Sequence, residues 1–282
     1  MTSKINFNFN NINKEVETLT VYTHGGVFHA DEVFCVALLK VISHKEVKVN
    51  RVFSVPEGIE NTPNKGIYVL DIGGGELDHH SFPREERENG TPYASFGKLI
   101  RYLGVTEVHG FENFDDKWGV PIDYQDNGGE VNLLSQSIGA MNPLWNEEEG
   151  ADDCFNRAVE FALELLSRDL KAREATLLAE KEVNKALTKS ENEVVILDHF
   201  MPWQEVLIPT EAKVVIFPSL RGGYTVQLVP KKLGERETKV SFPKEWWGNS
   251  TLPSGMNFCH PTGFMLVANE LEDAIKFANL AQ

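Results

Sequence analysis

The sequence has little cysteine and a deficit of positive charge. Its three cysteines, Cys35, Cys154 and Cys259, lie far apart and form no CxxC pair, which argues against a disulfide framework or a thiolate zinc site and favours a reducing compartment. Lysine and arginine number 27 against 42 acidic residues, a net charge of −15. That excess repels phosphate backbones over the whole surface, so any handling of nucleotides requires local cations, as metals or as a basic cluster. Long apolar runs are also missing. No stretch approaches the ~18 residues of a membrane span, and the polar, Asn-rich residues 1–17 show no apolar h-region behind a basic n-region. The expectation is a cytoplasmic protein with no signal peptide and no membrane partner. What remains is ordinary globular material, 41% hydrophobic and 24% charged over 282 residues, enough for about two domains at roughly 150 residues each.

Residues 19–23 (LTVYT) form a short β-rich run ending at His24-Gly25-Gly26, the strand-then-glycine pattern of an α/β domain. Asp31 and Glu32 supply negative charge where a helix should begin, and apolar residues continue at near-helical spacing to Ile42. Residues 47–54 read as a further strand, and the nearly all-apolar 67–72 (IYVLDI) suits a strand covered on both faces, as in parallel sheets. Helices are expected over 94–103 and 132–140. From 152 to about 189, Phe155, Val159, Ala162, Leu163, Leu166 and Leu170 recur at i, i+3, i+4 intervals with no Gly or Pro between them. Such a helix is long enough to connect two lobes. Beyond it, 194–197, 214–217 and 224–229 read as strands and 271–281 as a closing helix. The expected fold is therefore α/β in two lobes: residues 1–150, a connecting helix at 151–190, and a smaller α/β C-terminal lobe at 191–282.

The first lobe collects metal-ligand chemistry. His24, His29 and Asp31 lie in HGGVFHAD, Asp71 ends an apolar strand, Asp78, His79 and His80 form a DHH triplet, and Asp123 and Asp126 lie in IDYQDNG. His24 and Asp71 share the C-terminal edge of predicted strands, where parallel α/β sheets build their sites. Mixed imidazole and carboxylate suits Mn²⁺, Zn²⁺ or Co²⁺. A pair of such cations needs a bridging carboxylate and several terminal ligands, and serves phosphoester hydrolysis by acidifying water and neutralising charge on phosphoryl oxygens. Each residue also has a plainer reading. Asp71 can cap the next element, His79-His80 can sit solvated in a loop, and Asp123 and Asp126 can form an Asx turn into Asn127-Gly128. Their shared position at loop edges within the first 126 residues favours the metal reading.

HGGVFHADE, VLDIGGGELDHH, IDYQDNGG, VVILDHFMPW and FCHPTGF resemble, in that order, the signature segments of the Myg family (melanocyte proliferating gene proteins), from about Leu19 to the C-terminus. That family is similar to the DHH phosphoesterases, which include RecJ-type exonucleases, oligoribonucleases and family II pyrophosphatases, and its eukaryotic members are associated with 3′→5′ RNA exonuclease activity. The resemblance implies a DHH-like catalytic lobe with two divalent cations, Mn²⁺ foremost and Zn²⁺, Co²⁺ or Mg²⁺ as alternatives. It puts His24 and His29 on one metal and Asp31 on the other, with Asp71 bridging and His79 and Asp126 completing the second. Asp123 stays open as the alternative to Asp126. His80 would contact the scissile phosphate or orient a ligand, and Asp78 would fix an imidazole tautomer. His29 departs from the superfamily pattern, where an aspartate is usual.

By the same resemblance, His260 and Gly263 in CHPTGF match a phosphate-facing motif of the C-terminal lobe, which implies His260 as a catalytic residue beside Asp71 and His80 and Gly263 as a substrate contact. Arg221 and Gln227, flanking a predicted turn and strand, are further candidates for substrate contact. Trp203, Trp246 and Trp247 could stack bases, although core positions are the commoner role. Asp198-His199 receives no role. The implied function is a phosphoesterase acting on short RNA or nucleotides. The alternatives are a small-molecule phosphatase or pyrophosphatase with the same metals, which the acidic surface fits at least as well, and a binding protein without catalysis. A homo-oligomer is compatible with either.

Overall fold

The structure, a computed structural model, describes residues 7–80 and 82–282. The chain forms two compact units, Met1–Arg173 and Glu174–Gln282. In the first, β1 (Thr18–His24) is the central strand of a three-stranded parallel sheet, between β2 (Glu46–Val52) and β3 (Ile67–Val69). Leu19, Val21 and Thr23 on β1 are buried while their neighbours are half-buried, so the strand alternates as a sheet with one dry face does. β2 is an edge strand with no buried residue.

α1 (Ala30–Ser43) is buried along almost its whole length. Its Val33, Phe34, Leu38 and Leu39 share one core with Leu19 and Val21 of the sheet, with Phe96 of α2 (Ser95–Tyr102), and with Phe155 and Leu166 of α5 (Ala151–Leu187). Between α2 and α5 lie a single π-helical turn, Asp115–Gly119, then α3 (Val120–Asp126) and α4 (Leu133–Gly139).

Here the Asx-turn reading of Asp123 and Asp126 is corrected, because both belong to α3. Asn127 caps the helix and Gly128 follows at φ 84, with the Asn127, Gly128 and Gly129 amides closing on Asp123, Gln125 and Tyr124 carbonyls. The DNG run is thus a helix stop signal, in which glycine takes the left-handed residue after the cap.

The second unit holds a five-stranded sheet in the order β4 (Val194–Ile196), β5 (Val214–Pro218), β6 (Tyr224–Leu228), β8 (Met265–Ala268), β7 (Met256–Cys259). Only β4 and β5 run parallel. β7 and β8 add two strands that the hydrophobic pattern did not announce. Alternation along β5 feeds two cores. Val214 and Ile216 pack with Phe242, Trp246 and Phe277 of α7 (Leu271–Ala278), while Val215 and Phe217 pack with Ala179, Val183 and Trp203, beside the short α6 (Gln204–Leu207). Trp203 and Trp246 are therefore core residues, which removes them as base-stacking platforms. The three cysteines are free and buried, and among the described residues no helix is long and apolar enough to cross a membrane.

Candidate metal centre

The parallel sheet delivers the first ligands. β1 ends at His24, and Asp71 follows two residues after β3, at φ 57, a left-handed conformation that Asp tolerates better than most side chains. His24 Nε2 lies 3.3 Å from Asp71 Oδ2 and 3.0 Å from Glu32 Oε1. On the other side of the same carboxylate, His79 Nε2 lies 3.0 Å from Asp71 Oδ1, 3.1 Å from Asp126 Oδ2 and 3.8 Å from Asp31 Oδ2. His29 Nδ1 is 3.8 Å from Asp126 Oδ1. Asp71 is thus shared, one oxygen toward each half of the cluster. Three overlapping sets have ligand atoms within 4.8 Å of one another: His24, His29, Glu32 and Asp71; Asp71, His79 and His80; and His29, Asp31 and Asp126.

Whether these residues suit a cation is decided by their unmet needs. Asp31 and Glu32 are fully buried, yet Asp31 Oδ1 and Glu32 Oε2 have no partner among the described residues. An unpaired buried carboxylate oxygen is costly, and a divalent cation satisfies it. Proton affinities follow the same crowding. Burial pushes the Asp31 carboxyl well above the usual carboxylate range, with Asp71 and Glu32 adding to it. Burial also raises Asp126 against the pull of His79. For Asp71, burial acts upward, but hydrogen bonds from His24 and His79 hold the carboxyl well below its ordinary value. Asp71 and then Glu32 push the His24 imidazole up to about 10. The donor set fits divalent cations, which would take the place of those protons.

Neighbouring residues fix the arrangement. Ser95, the first residue of α2, donates its hydroxyl to Asp71 Oδ1 at 3.0 Å and its amide to Asp31 Oδ2 at 3.3 Å. Asp78 accepts from the Gly74 amide at 2.6 Å and sits 2.7 Å from His80 Nδ1, so it orients the exposed His80 ring. Arg51 donates to the Gly26 carbonyl at 2.7 Å, pinning the turn after His24, and its guanidinium lies 4.6 Å from the Phe155 ring centroid. Asn142 exchanges two hydrogen bonds with the backbone of Phe28, next to His29.

Asp123 and Asp126 have different surroundings. Asp126 faces the histidines, whereas Asp123 is buried in an ion pair with Arg87 at 2.7 Å and accepts the Gly97 amide at 3.1 Å. Arg87 also holds Asp115 at 2.6 Å.

The remaining candidates lie in the second unit. His260 Nδ1 is 2.9 Å from Thr262 Oγ1 and accepts the Thr262 amide. The Gly263 amide donates to the His260 carbonyl at 2.8 Å, which commits it to the turn rather than to an anion. A Cβ on Gly263 would fall 2.1 Å from the Trp247 ring, so packing and φ 68 both account for this glycine. Arg221 is exposed in a turn, and Gln227 is half-buried on β6.

Sequence reasoning missed Glu32, Ser95, Arg51 and Asn142 as parts of the cluster. Glu32 carried a signal: it stands three residues after His29 and accepts the His29 amide at 2.9 Å, the spacing of a capping box. The other three carried none.

A family model labelled MYG1_exonuc, "Uncharacterised protein family (UPF0160)", matches residues 109–281. Among curated proteins, the chain is similar to a "MYG1 protein" of Chlamydia trachomatis, 28% identical across 93% of this chain and 96% of that protein. It is similar to a "MYG1 protein" of Dictyostelium discoideum, 26% identical across 88% and 91%. A "MYG1 exonuclease" of Mus musculus is 26% identical across 91% and 83%. No solved structure matches.

Proposed function

The chain belongs to the MYG1 exonuclease family, uncharacterised protein family UPF0160, and from that premise we propose that it is a metal-dependent phosphoesterase of the DHH type that removes nucleotides from the 3′ end of short RNA. One observation carries the reading: Asp71 shared between His24 and His79, beside buried oxygens of Asp31 and Glu32 that have no partner among the described residues. The mammalian relatives named exonuclease support it. His24, His29, Asp31, Asp71, His79 and Asp126 are the residues that would hold two divalent cations, with Glu32 of the same cluster as a further oxygen donor, and Mn²⁺ is the cation by donor type. Bound there, such cations would acidify water and neutralise charge gathering on the phosphoryl group.

The chain's own residues do the rest. Glu32 and Ser95 hold His24 and Asp71 in place. Burial tends to raise the Asp78 carboxyl, but the Gly74 and His80 amides and the His80 ring lower it, so Asp78 stays ionised and fixes the ring at Nδ1. That leaves His80 Nε2 for a phosphoryl oxygen.

A second reading, a pyrophosphatase or small-molecule phosphatase, has the net charge of −15 in its favour. Oligoribonucleotides of graded length, assayed beside pyrophosphate with and without Mn²⁺, separate the two. Stepwise release of nucleoside monophosphates from the 3′ end is expected; hydrolysis of pyrophosphate alone would overturn the nuclease reading.

A further inference from the structure

A cavity of about 470 Å³ opens beside the cluster, with His79, His80 and Asp126 in one wall. That volume lies within the range of sites for drug-sized ligands, roughly 300–1,000 Å³, and far exceeds what a phosphate group needs. Four residues of the remaining wall concern something larger than phosphate.

Phe82 borders the cavity and keeps 86% of its surface exposed. An apolar ring held in water at the rim of a polar cavity offers a face on which a base can stack. Arg84 also lines the cavity, with its guanidinium carbon 5.9 Å from the Phe82 ring centroid. Among the described residues it has no carboxylate partner, in a chain with 42 acidic residues. An exposed guanidinium with no carboxylate beside it in such surroundings is available to an anion. Ser135 is the third. Only 8% exposed, it lines the same cavity, and its hydroxyl has no partner among the described residues. A buried hydroxyl normally finds a partner, so this one points to a ligand group. Gln136, exposed on the same wall, adds an amide with both donor and acceptor.

We propose that this cavity seats one nucleotide of the substrate, with the base stacked on Phe82, a phosphate paired with Arg84, and polar groups of the nucleoside bonded to Ser135 and Gln136. The proposal rests on the phosphoesterase reading for its place in the reaction and deepens it, because it selects nucleotides over base-free phosphates. The aromatic ring contributes through the base, and the arginine through the phosphate.

The test is calorimetric titration of the Mn²⁺-loaded protein with AMP and with ribose 5-phosphate, which lacks the base. Phe82→Ala should weaken AMP by about 10-fold or more, the scale of base–aromatic stacking, and leave ribose 5-phosphate unchanged. Arg84→Ala should weaken both. Mn²⁺ affinity and the melting temperature should match the wild type in each variant, which shows that fold and metal cluster are intact. The proposal is overturned if AMP does not bind the wild type, if neither variant shifts AMP affinity by more than about twofold, or if Phe82→Ala weakens both ligands equally. Failure of the phosphoesterase reading would appear separately, as absence of turnover on every phosphoester while the AMP titration remains readable.

Discussion

At Asp71 the backbone is left-handed, φ 57, a conformation that costs most residues about 1–2 kcal/mol and that Asp and Asn adopt most readily among those with a side chain. Asp71→Asn therefore keeps the backbone fit while removing the charge shared by His24 and His79. Its Mn²⁺ affinity should fall by more than about 100-fold, measured by calorimetric titration, with loss of turnover. Ser95→Ala leaves every proposed ligand in place and removes only the hydroxyl bonded to Asp71. A supporting residue of this kind is worth about 10–100-fold in metal affinity, so the variant should fall between wild type and Asp71→Asn; equality with wild type would show that Ser95 does not position Asp71. The contrast between Asp71 and Ser95 also marks how far residue types carry a sequence reading. Histidines and aspartates at strand ends announce ligand chemistry through their identity. A serine at the start of a helix is a common cap, and only the packing of α2 against Asp31 and Asp71 gives it another task.

Elements decide where those side chains point. α3 carries Asp126 to the histidines and Asp123 to Arg87, and it ends at Gly128, φ 84, where an added Cβ would meet nothing within 4 Å. Gly128→Ala should thus cost only the conformational strain, about 1–2 kcal/mol, read from urea unfolding, and Gly128→Asn less. α5 braces the approach to α3. Asp169 accepts from Lys117 at 2.5 Å and from Arg173 at 2.6 Å, and Arg173 donates to the Gly110 carbonyl at 2.6 Å. Burial works to raise the Asp169 carboxyl, but Lys117 and Arg173 hold it below its ordinary value. A depressed carboxyl contributes stability that is fully present above its unfolded pKa of about 3.9 and is lost as pH falls through the lower folded value. Asp169→Asn should accordingly be less stable than wild type by a constant amount at pH 5–8, and the gap should close below about pH 4. A gap that persisted at pH 2 would mean that packing, not charge, explains the residue.

The elements themselves were unevenly legible. Long periodic runs such as α5 and strands ending in glycine turns declare themselves through spacing. β7 and β8 are only four residues each, too short for a period of two to stand out. The α3 segment read as a turn because Asn-Gly marks hairpins and helix ends alike, and only the preceding hydrogen bonds choose between them.

Over the whole molecule, the acidity acts in two ways. Part of the charge of −15 gathers in the cluster, where cations would reverse its local effect. The rest faces phosphate backbones with repulsion, so affinity should not grow with RNA length. The Michaelis constant for a 20-mer should stay within about threefold of that for a trimer, and rising salt should not weaken binding with the steep slope of a protein that neutralises many phosphates. The most direct measurement is metal content paired with turnover. Dialysis against a chelator should remove the bound metal and abolish oligonucleotide hydrolysis, and Mn²⁺ should restore activity in step with about two equivalents per chain. Hydrolysis that continued in metal-free protein, or that Asp71→Asn left intact, would contradict a metal centre built around Asp71.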